Sequence, residues 1–204
     1  MTTAARATTA PALPTQNTLL VKEHIGAFKA ANNFDVYDPA SGALVLLARE
    51  EALGWLTKLM RFTDSKRYTP FDLTVRTPSG EIVARVSRGV AFLRSTVQVR
   101  DGNGQVLGCF RQRLLSLGGA FDLVDPGGRV LGTVRGKWTG WDFRFASGND
   151  ELARVSKRWA GIGKEMLTTA DNYVLEIAAT VPATGPARPL IIAAALCIDM
   201  VLKE

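Results

Sequence analysis

The C-terminal run of the chain reads Pro189-Leu-Ile-Ile-Ala-Ala-Ala-Leu-Cys-Ile-Asp-Met-Val-Leu202, and nearly all of its positions are apolar. Between Leu190 and Leu202 the only charged residue is Asp199. As a helix this run would rise only about 20 Å, whereas a membrane-spanning helix needs about 20 apolar residues. A helix that is apolar on all sides is buried within protein. We therefore predict a buried helix over 190–202, with Asp199 hydrogen-bonded near its end.

Upstream of this run, five segments repeat one pattern: an alternating strand, a glycine-containing turn and a second apolar strand. The first strand and turn of each segment occupy Phe34–Gly42, Phe71–Gly80, Thr96–Gly104, Phe121–Gly128 and Trp141–Asp150. Alternation bounded by Asp-Pro, Ser-Gly, Asn-Gly or Gly-Gly is typical of β-hairpins. The pattern predicts five hairpins and hence ten strands.

Ten or more antiparallel strands must close or stack to protect their edges, and a barrel of that size is too wide for its own side chains to fill. The apolar C-terminal helix is the one segment suited to occupy the lumen. We predict a mainly β fold, a closed antiparallel barrel around a central C-terminal α-helix. A second, short amphipathic helix is expected over Glu50–Arg61, lying on the barrel as a connector.

The composition argues against most enzyme chemistry. The chain has two cysteines, Cys109 and Cys197, and one histidine, His24, which disfavours a disulfide framework, a cysteine-based zinc site and Ser-His-Asp catalysis. Asp101-Gly-Asn-Gly104 has the start of a calcium loop without its remaining ligands, so it is interpreted as a hairpin turn. We predict no enzyme activity and no cofactor. Residues 1–18 are predicted to be a disordered leader, and 19–204 a single domain.

Three stretches resemble one known family. They are Arg154-Val-Ser-Lys-Arg-Trp-Ala-Gly-Ile-Gly-Lys-Glu165 with the following Thr169-Ala-Asp-Asn-Tyr173, the terminal Ala194-Ala-Leu-Cys-Ile-Asp-Met200, and Gly26–Asp38. Over residues 20–204 the chain is similar to phospholipid scramblases and LURP-one-related proteins of the tubby C-terminal-like superfamily, in a bacterial-type form. The resemblance implies a barrel of about twelve strands wrapped around a central C-terminal helix.

The resemblance also implies a place to look for calcium, because scramblases carry an acidic calcium-binding segment here. In this chain Thr169 stands at the first acidic position and Val174 replaces the usual glycine, while Asp171 and Asn172 remain. Calcium takes six to eight oxygen ligands, mostly from several carboxylates. We therefore predict no metal site; Asp171 is the only candidate ligand, and a turn or capping role is favoured for it.

The formal net charge is +6, and basic residues recur at fixed distances after the turns. Strand alternation and antiparallel pairing place these positions at the end of the barrel opposite the turns. The predicted rim consists of Arg49, Arg88, Arg111, Arg113, Arg135, Lys137 and Lys157. Trp138 and Trp159 follow two of these strands, where they either cover the barrel mouth or lie at a membrane interface.

Arginine suits bidentate phosphate contacts, and basic residues favour an anionic leaflet. The function predicted is binding of anionic, phosphoinositide-like phospholipid headgroups, by a cytoplasmic protein that is peripheral at the inner face of the membrane and has no transmembrane segment. The alternatives are a regulatory module that binds nucleic acid, lipid scrambling itself, and a module that binds a protein partner. Nucleic acid is disfavoured, because no recognition helix or stacking platform is evident.

Overall fold

The structure, a computed structural model, describes residues 13–24, 33–50, 70–89, 95–113, 120–137, 141–157 and 172–202, apart from the side chains of Lys137, Asp199 and Leu202. These residues form twelve strands and one helix. The strands are β1 (Thr18–Glu23), β2 (Asn33–Tyr37), β3 (Leu44–Glu50), β4 (Phe71–Arg76), β5 (Ile82–Arg88), β6 (Thr96–Asp101), β7 (Val106–Gln112), β8 (Ala120–Val124), β9 (Val130–Lys137), β10 (Asp142–Ser147), β11 (Asp150–Ser156) and β12 (Asn172–Ile177), and the helix is α1 (Ala187–Leu202).

The strands close into an antiparallel barrel in which each strand lies beside its neighbours in sequence and β1 pairs with β12. The fold predicted from the hairpin pattern is confirmed. The five predicted hairpins are β2–β3, β4–β5, β6–β7, β8–β9 and β10–β11. Their turns all lie at one end of the barrel, which we call the turn end. The opposite end, where β3, β5, β7, β9 and β11 finish, is the rim end.

Three of the five hairpins share one turn design, and in all five the register changes beside the turn. Gly80, Gly104 and Gly128 have φ between 85° and 92°, and the amide of each donates to the carbonyl three residues earlier. Every hairpin has its register shift beside the turn, as expected when a left-handed glycine forms a bulge. The alternation of faces along the strands is therefore undisturbed at the rim end.

The helix α1 occupies the lumen, as predicted, although it begins three residues before the predicted start. Its residues Leu190–Ile198 are each at most 3 % exposed. Pro189 is tolerated because a helix leaves its first amides without internal partners. The barrel lining that surrounds the helix is aromatic and β-branched, and includes Phe34, Phe110, Phe121, Phe143 and Phe145.

Buried polar groups hold the helix at three heights. Near the turn end, Arg188 donates to the carbonyl of Pro14 at 2.9 Å, to the side chain of Asn17 at 3.2 Å, and to the carbonyl of Gln16. The Tyr173 hydroxyl donates to the carbonyl of Ala195 at 3.0 Å. Near the rim end, Arg88 donates to the carbonyl of Met200 at 3.2 Å. The helix therefore runs from the turn end to the rim end.

Three sequence expectations meet the structure only in part. Glu50 is the last residue of β3, and 51–61, the rest of the predicted amphipathic helix, lies outside the described residues. The predicted hydrogen bond of the Asp199 side chain also lies outside them. Residues 1–12 of the predicted leader are not described, and β1 begins at Thr18, one residue before the predicted domain boundary.

Candidate functional site: a basic surface on the barrel wall

Five arginines on the outer face of β7–β11 form what we call the basic surface: Arg111, Arg113, Arg135, Arg144 and Arg154. The amide of Arg113 donates to the carbonyl of Ala120 at 2.8 Å, and Ala120 pairs with Arg135. Arg135 pairs in turn with Arg144, and Arg144 with Arg154. Because neighbouring strands lie about 4.8 Å apart, this register creates a row of cations across the wall near the rim end.

Strand alternation turns these side chains outward. Along β7 the buried residue Phe110 precedes Arg111, and along β9 the buried residue Val134 precedes Arg135. In β10, Phe143 and Phe145 enter the core on either side of Arg144. Arg111, Arg113, Arg135 and Arg144 are all exposed. Cations placed directly across a ladder repel one another, so this row costs stability unless counterions lie nearby.

Carboxylates compensate three of the five arginines. Arg154 makes a bidentate contact with Asp142, with both nitrogen–oxygen distances at 2.8 Å. That hydrogen bonding, together with the charge of Asp142, raises the pKa of Arg154. Arg144 lies 3.9 Å from Asp142 and 3.7 Å from Glu151. Arg113 lies 3.8 Å from Asp122.

Arg111 and Arg135 differ from the other three. Within the described part of the chain neither has a carboxylate oxygen within 4.0 Å, although Arg111 pairs across the strands with Asp122. The hydroxyl of Thr133 donates to Asp122 at 2.8 Å instead. Two exposed guanidinium groups on β7 and β9 are therefore available to an external anion.

Arg88 was predicted on the rim, and this is wrong. Its side chain is 4 % exposed and lies inside the barrel, where its guanidinium lies 5.0 Å from the Phe71 ring. The reason is parity: Arg88 follows its turn glycine by eight positions where the other members follow by seven or nine. An even count places the residue on the inward face, beside Val86. There it contacts the last turn of α1, where a cation is favourable.

Arg49 is at the rim end but belongs to a separate cluster on β2–β3. It forms an ion pair with Asp35 and donates to the carbonyl of Phe34 at 2.6 Å. The His24 ring nitrogen lies 2.7 Å from the other carboxylate oxygen. Burial alone would raise the pKa of Asp35, but the hydrogen bonds from Arg49 and His24 outweigh it and lower that pKa. Strands β4–β6 separate this cluster from the basic surface.

The remaining predicted site residues have different outcomes. Lys157 places its ammonium 4.2 Å from the centre of the Trp141 ring. The backbone of Lys137 pairs with Asp142 in β9–β10, but its side chain is not described. Trp138, Trp159 and Asp171 lie outside the described residues.

Two further observations bear on the chemistry of the described residues. They contain no group of three or more histidine, cysteine, aspartate or glutamate side chains suited to hold a metal ion. The two thiols differ: Cys109 is half-buried on the wall, and complete burial of Cys197 in the lumen strongly raises the pKa of its thiol.

Comparison with known proteins identifies the family of this chain. A model of the Scramblase family matches residues 7–204. The chain belongs to the Scramblase family. A search of the curated proteins found no match. The solved structures include a similar chain, an Arabidopsis thaliana protein titled AT5G01750, with 14 % identity, coverage of 91 % of this chain and 97 % of that one, and a TM-score of 0.49. Among the described residues of this Scramblase-family chain, no helix is both long and apolar enough to cross a membrane.

Two members of the basic surface, Arg144 and Arg154, were not predicted from the sequence, and neither was the contact of Lys157 with Trp141. Counting from turn glycines finds residues on the second strand of each hairpin and passes over Arg144, which lies on a first strand. The alternation Asp142-Phe-Arg-Phe145 does carry the signal, because it places Asp142 and Arg144 on one face. The contact of Lys157 with Trp141 joins the far ends of two strands, and no sequence spacing indicates it.

Proposed function

We propose that this Scramblase-family chain binds anionic phospholipid headgroups through its basic surface, as a cytoplasmic protein that is peripheral at the inner face of the membrane. The observation that carries the proposal is the pair Arg111 and Arg135, exposed and without carboxylate partners in the described structure. Guanidinium groups bind phosphate oxygens in bidentate fashion. A phosphoinositide-like headgroup, with several phosphates, is the ligand best matched to a row of arginines on neighbouring strands.

The positive charge of the basic surface supports binding to anionic membranes. A basic residue near an anionic leaflet contributes about 1 kcal/mol. The four exposed arginines would therefore contribute about 4 kcal/mol, which is roughly a thousandfold preference for anionic over neutral membranes. We further propose that the role is binding rather than catalysis, since the His24 ring is engaged by Asp35 and Cys197 is buried.

The geometry favours lipid over nucleic acid and over direct scrambling. The one helix of the described residues, α1, is enclosed by the barrel and is not presented to a groove of DNA. The same enclosure removes the apolar run from contact with lipid. A protein partner with an acidic face remains the alternative that uses the same arginines.

Cosedimentation with vesicles tests the proposal. The protein should pellet with vesicles of phosphatidylcholine mixed with phosphatidylserine or a phosphoinositide, and stay in solution with phosphatidylcholine alone. Binding should fall steeply as salt rises, because the Debye length shrinks from about 10 Å at 0.1 M to about 3 Å at 1 M. A parallel shift assay with duplex DNA discriminates the alternative. Tight, salt-dependent DNA binding without vesicle binding would contradict the proposal.

A further inference from the structure

Residues 13–17, the segment that precedes β1, lie against the start of α1. Leu13 packs on the hydrophobic core. The amide of Ile177 donates to the carbonyl of Asn17 at 2.6 Å, one residue beyond the paired part of β1 and β12. Between these two points, the acceptors of the Arg188 guanidinium are two carbonyls and one side chain of this segment. The segment is therefore held mainly by the helix rather than by a strand ladder.

Arg188 is a buried cation whose hydrogen bonds are all with neutral groups. The residue is 1 % exposed, and within the described part of the chain no carboxylate oxygen lies within 4.0 Å of it. Burial accordingly lowers the pKa of its guanidinium. Its place at the start of α1 adds to the cost, because the helix dipole disfavours a cation there. In water the guanidinium would recover its hydration, so the burial of this charge offsets much of the stabilisation that its hydrogen bonds provide.

The outer side of the segment faces solvent. Thr15, Gln16 and Asn17 are exposed, so they can move away from the helix without displacing the barrel wall. An exposed segment with few backbone hydrogen bonds opens at a lower free energy than the strands beside it. Its release would also hydrate the guanidinium of Arg188, which makes the open arrangement less costly.

We propose that residues 13–17 form a latch, which Arg188 holds over the turn end of the lumen and whose release opens that end while the barrel wall stays folded. In the closed state the latch satisfies a buried guanidinium. In the open state water satisfies it and reaches the first turn of α1. Proteolytic removal of the latch would make the open state permanent. The basic surface lies near the rim end, so this proposal does not depend on lipid binding by Arg111 and Arg135.

Amide hydrogen exchange measured by NMR tests the latch at two adjacent residues. The amide of Ile177 donates to Asn17 in the latch, whereas the amide of Ala178 donates to the carbonyl of Leu152 in β11 at 2.8 Å. Arg188→Met removes the guanidinium and leaves an unbranched apolar side chain that adapts to the space. Exchange at Ile177 should accelerate about tenfold or more, the factor for a hydrogen bond to a charged group, and exchange at Ala178 should change less than about twofold.

Asn17→Ala is a second and milder variant. It removes the side-chain acceptor, which lies 3.2 Å from Arg188, and leaves both carbonyl acceptors in place. Exchange at Ile177 should accelerate about two- to fivefold, the lower part of the range for one hydrogen bond. The matched control is Arg129→Met, the same substitution at an exposed arginine of the turn end. This control should leave both amides unchanged.

Two results would overturn the proposal. One is exchange at Ile177 that keeps the wild-type rate in both Arg188→Met and Asn17→Ala. The other is equal acceleration at Ile177 and Ala178, which would mean that Arg188 stabilises the whole barrel rather than a latch. If Arg188→Met does not fold, Asn17→Ala decides by the same contrast between the two amides. Binding to anionic vesicles should be unchanged in Asn17→Ala, so failure of the lipid proposal is separately visible.

Discussion

Gly108 of β7 and Leu190 of α1 make a close approach between the barrel and the helix. A methyl group built at residue 108 would lie 2.9 Å from one terminal carbon of Leu190 and 2.4 Å from the carbonyl oxygen of Val124. The backbone there has φ of +149°, in a region that favours glycine. Gly108→Ala should therefore destabilise the protein by about 2 kcal/mol or more, as overpacked cores do.

Leu190→Val shortens the side chain that the new methyl group would strike. Alone it should cost about 1 kcal/mol, the value of one buried methylene. Together the two changes should cost about 1 kcal/mol less than the sum of the single effects, because residues in contact couple by about 0.5 to 3 kcal/mol. Urea unfolding of the four proteins measures this coupling.

Gly132→Ala combined with Leu190→Val is the control pair. A methyl group at residue 132 would meet Leu152 and the carbonyl of Ala146 rather than the helix. The effects of these two substitutions on the free energy of unfolding should be additive within about 0.5 kcal/mol. Additivity of the Gly108 and Leu190 changes would contradict the close approach of Leu190 to residue 108.

Three further predictions concern single sites. Asp35→Asn should lower the free energy of unfolding by about 1 to 2 kcal/mol at pH 7. Because folding lowers the pKa of Asp35, this loss of stability relative to the wild type should be complete above about pH 4. It should vanish as the pH falls through the folded-state pKa. A loss that is independent of pH would contradict this. In the native protein only Cys109 should react with a thiol reagent, whereas Cys197 should need unfolding; two native reactive thiols would place α1 elsewhere. Calorimetric titration should find no micromolar calcium site; a site that Asp171→Ala abolishes would show that the degraded acidic motif still binds.

Most of the fold could be predicted because its signals are local. The turn glycine and the alternating strand of a hairpin lie within about ten consecutive residues, as in Phe71–Gly80 and Phe121–Gly128. Both of these hairpins are present in the structure. The closure of β1 on β12 has no such signal, since their paired residues, such as Leu19 and Leu175, lie far apart in sequence. Closure of the barrel was predicted from the need to protect sheet edges and from the family resemblance.

The site was less predictable, because it depends on which partner each charge finds. The sequence alone could have placed Arg88 inside the barrel, because an even spacing of eight residues separates it from Gly80. By contrast, whether Arg113 or Arg111 meets Asp122 depends on side-chain geometry across a ladder. The same holds for Arg154, whose contact with Asp142 crosses from β11 to β10. Sequence spacing indicates a basic end of the barrel, whereas the structure indicates which of its cations are available.

The most direct measurement of the central claim compares two double variants of equal charge in vesicle binding. Arg111→Ala/Arg135→Ala removes the two arginines of the basic surface that have no carboxylate partner among the described residues. Arg100→Ala/Arg129→Ala removes two arginines from the turn end, where Arg129 pairs with Asp125 at 3.1 Å. Both variants should melt close to the wild type, as surface substitutions usually do. The first should bind anionic vesicles roughly thirtyfold more weakly, corresponding to about 2 kcal/mol, and the second should bind nearly as the wild type does. Equal losses in the two variants, or no loss in the first, would contradict a lipid site on the basic surface.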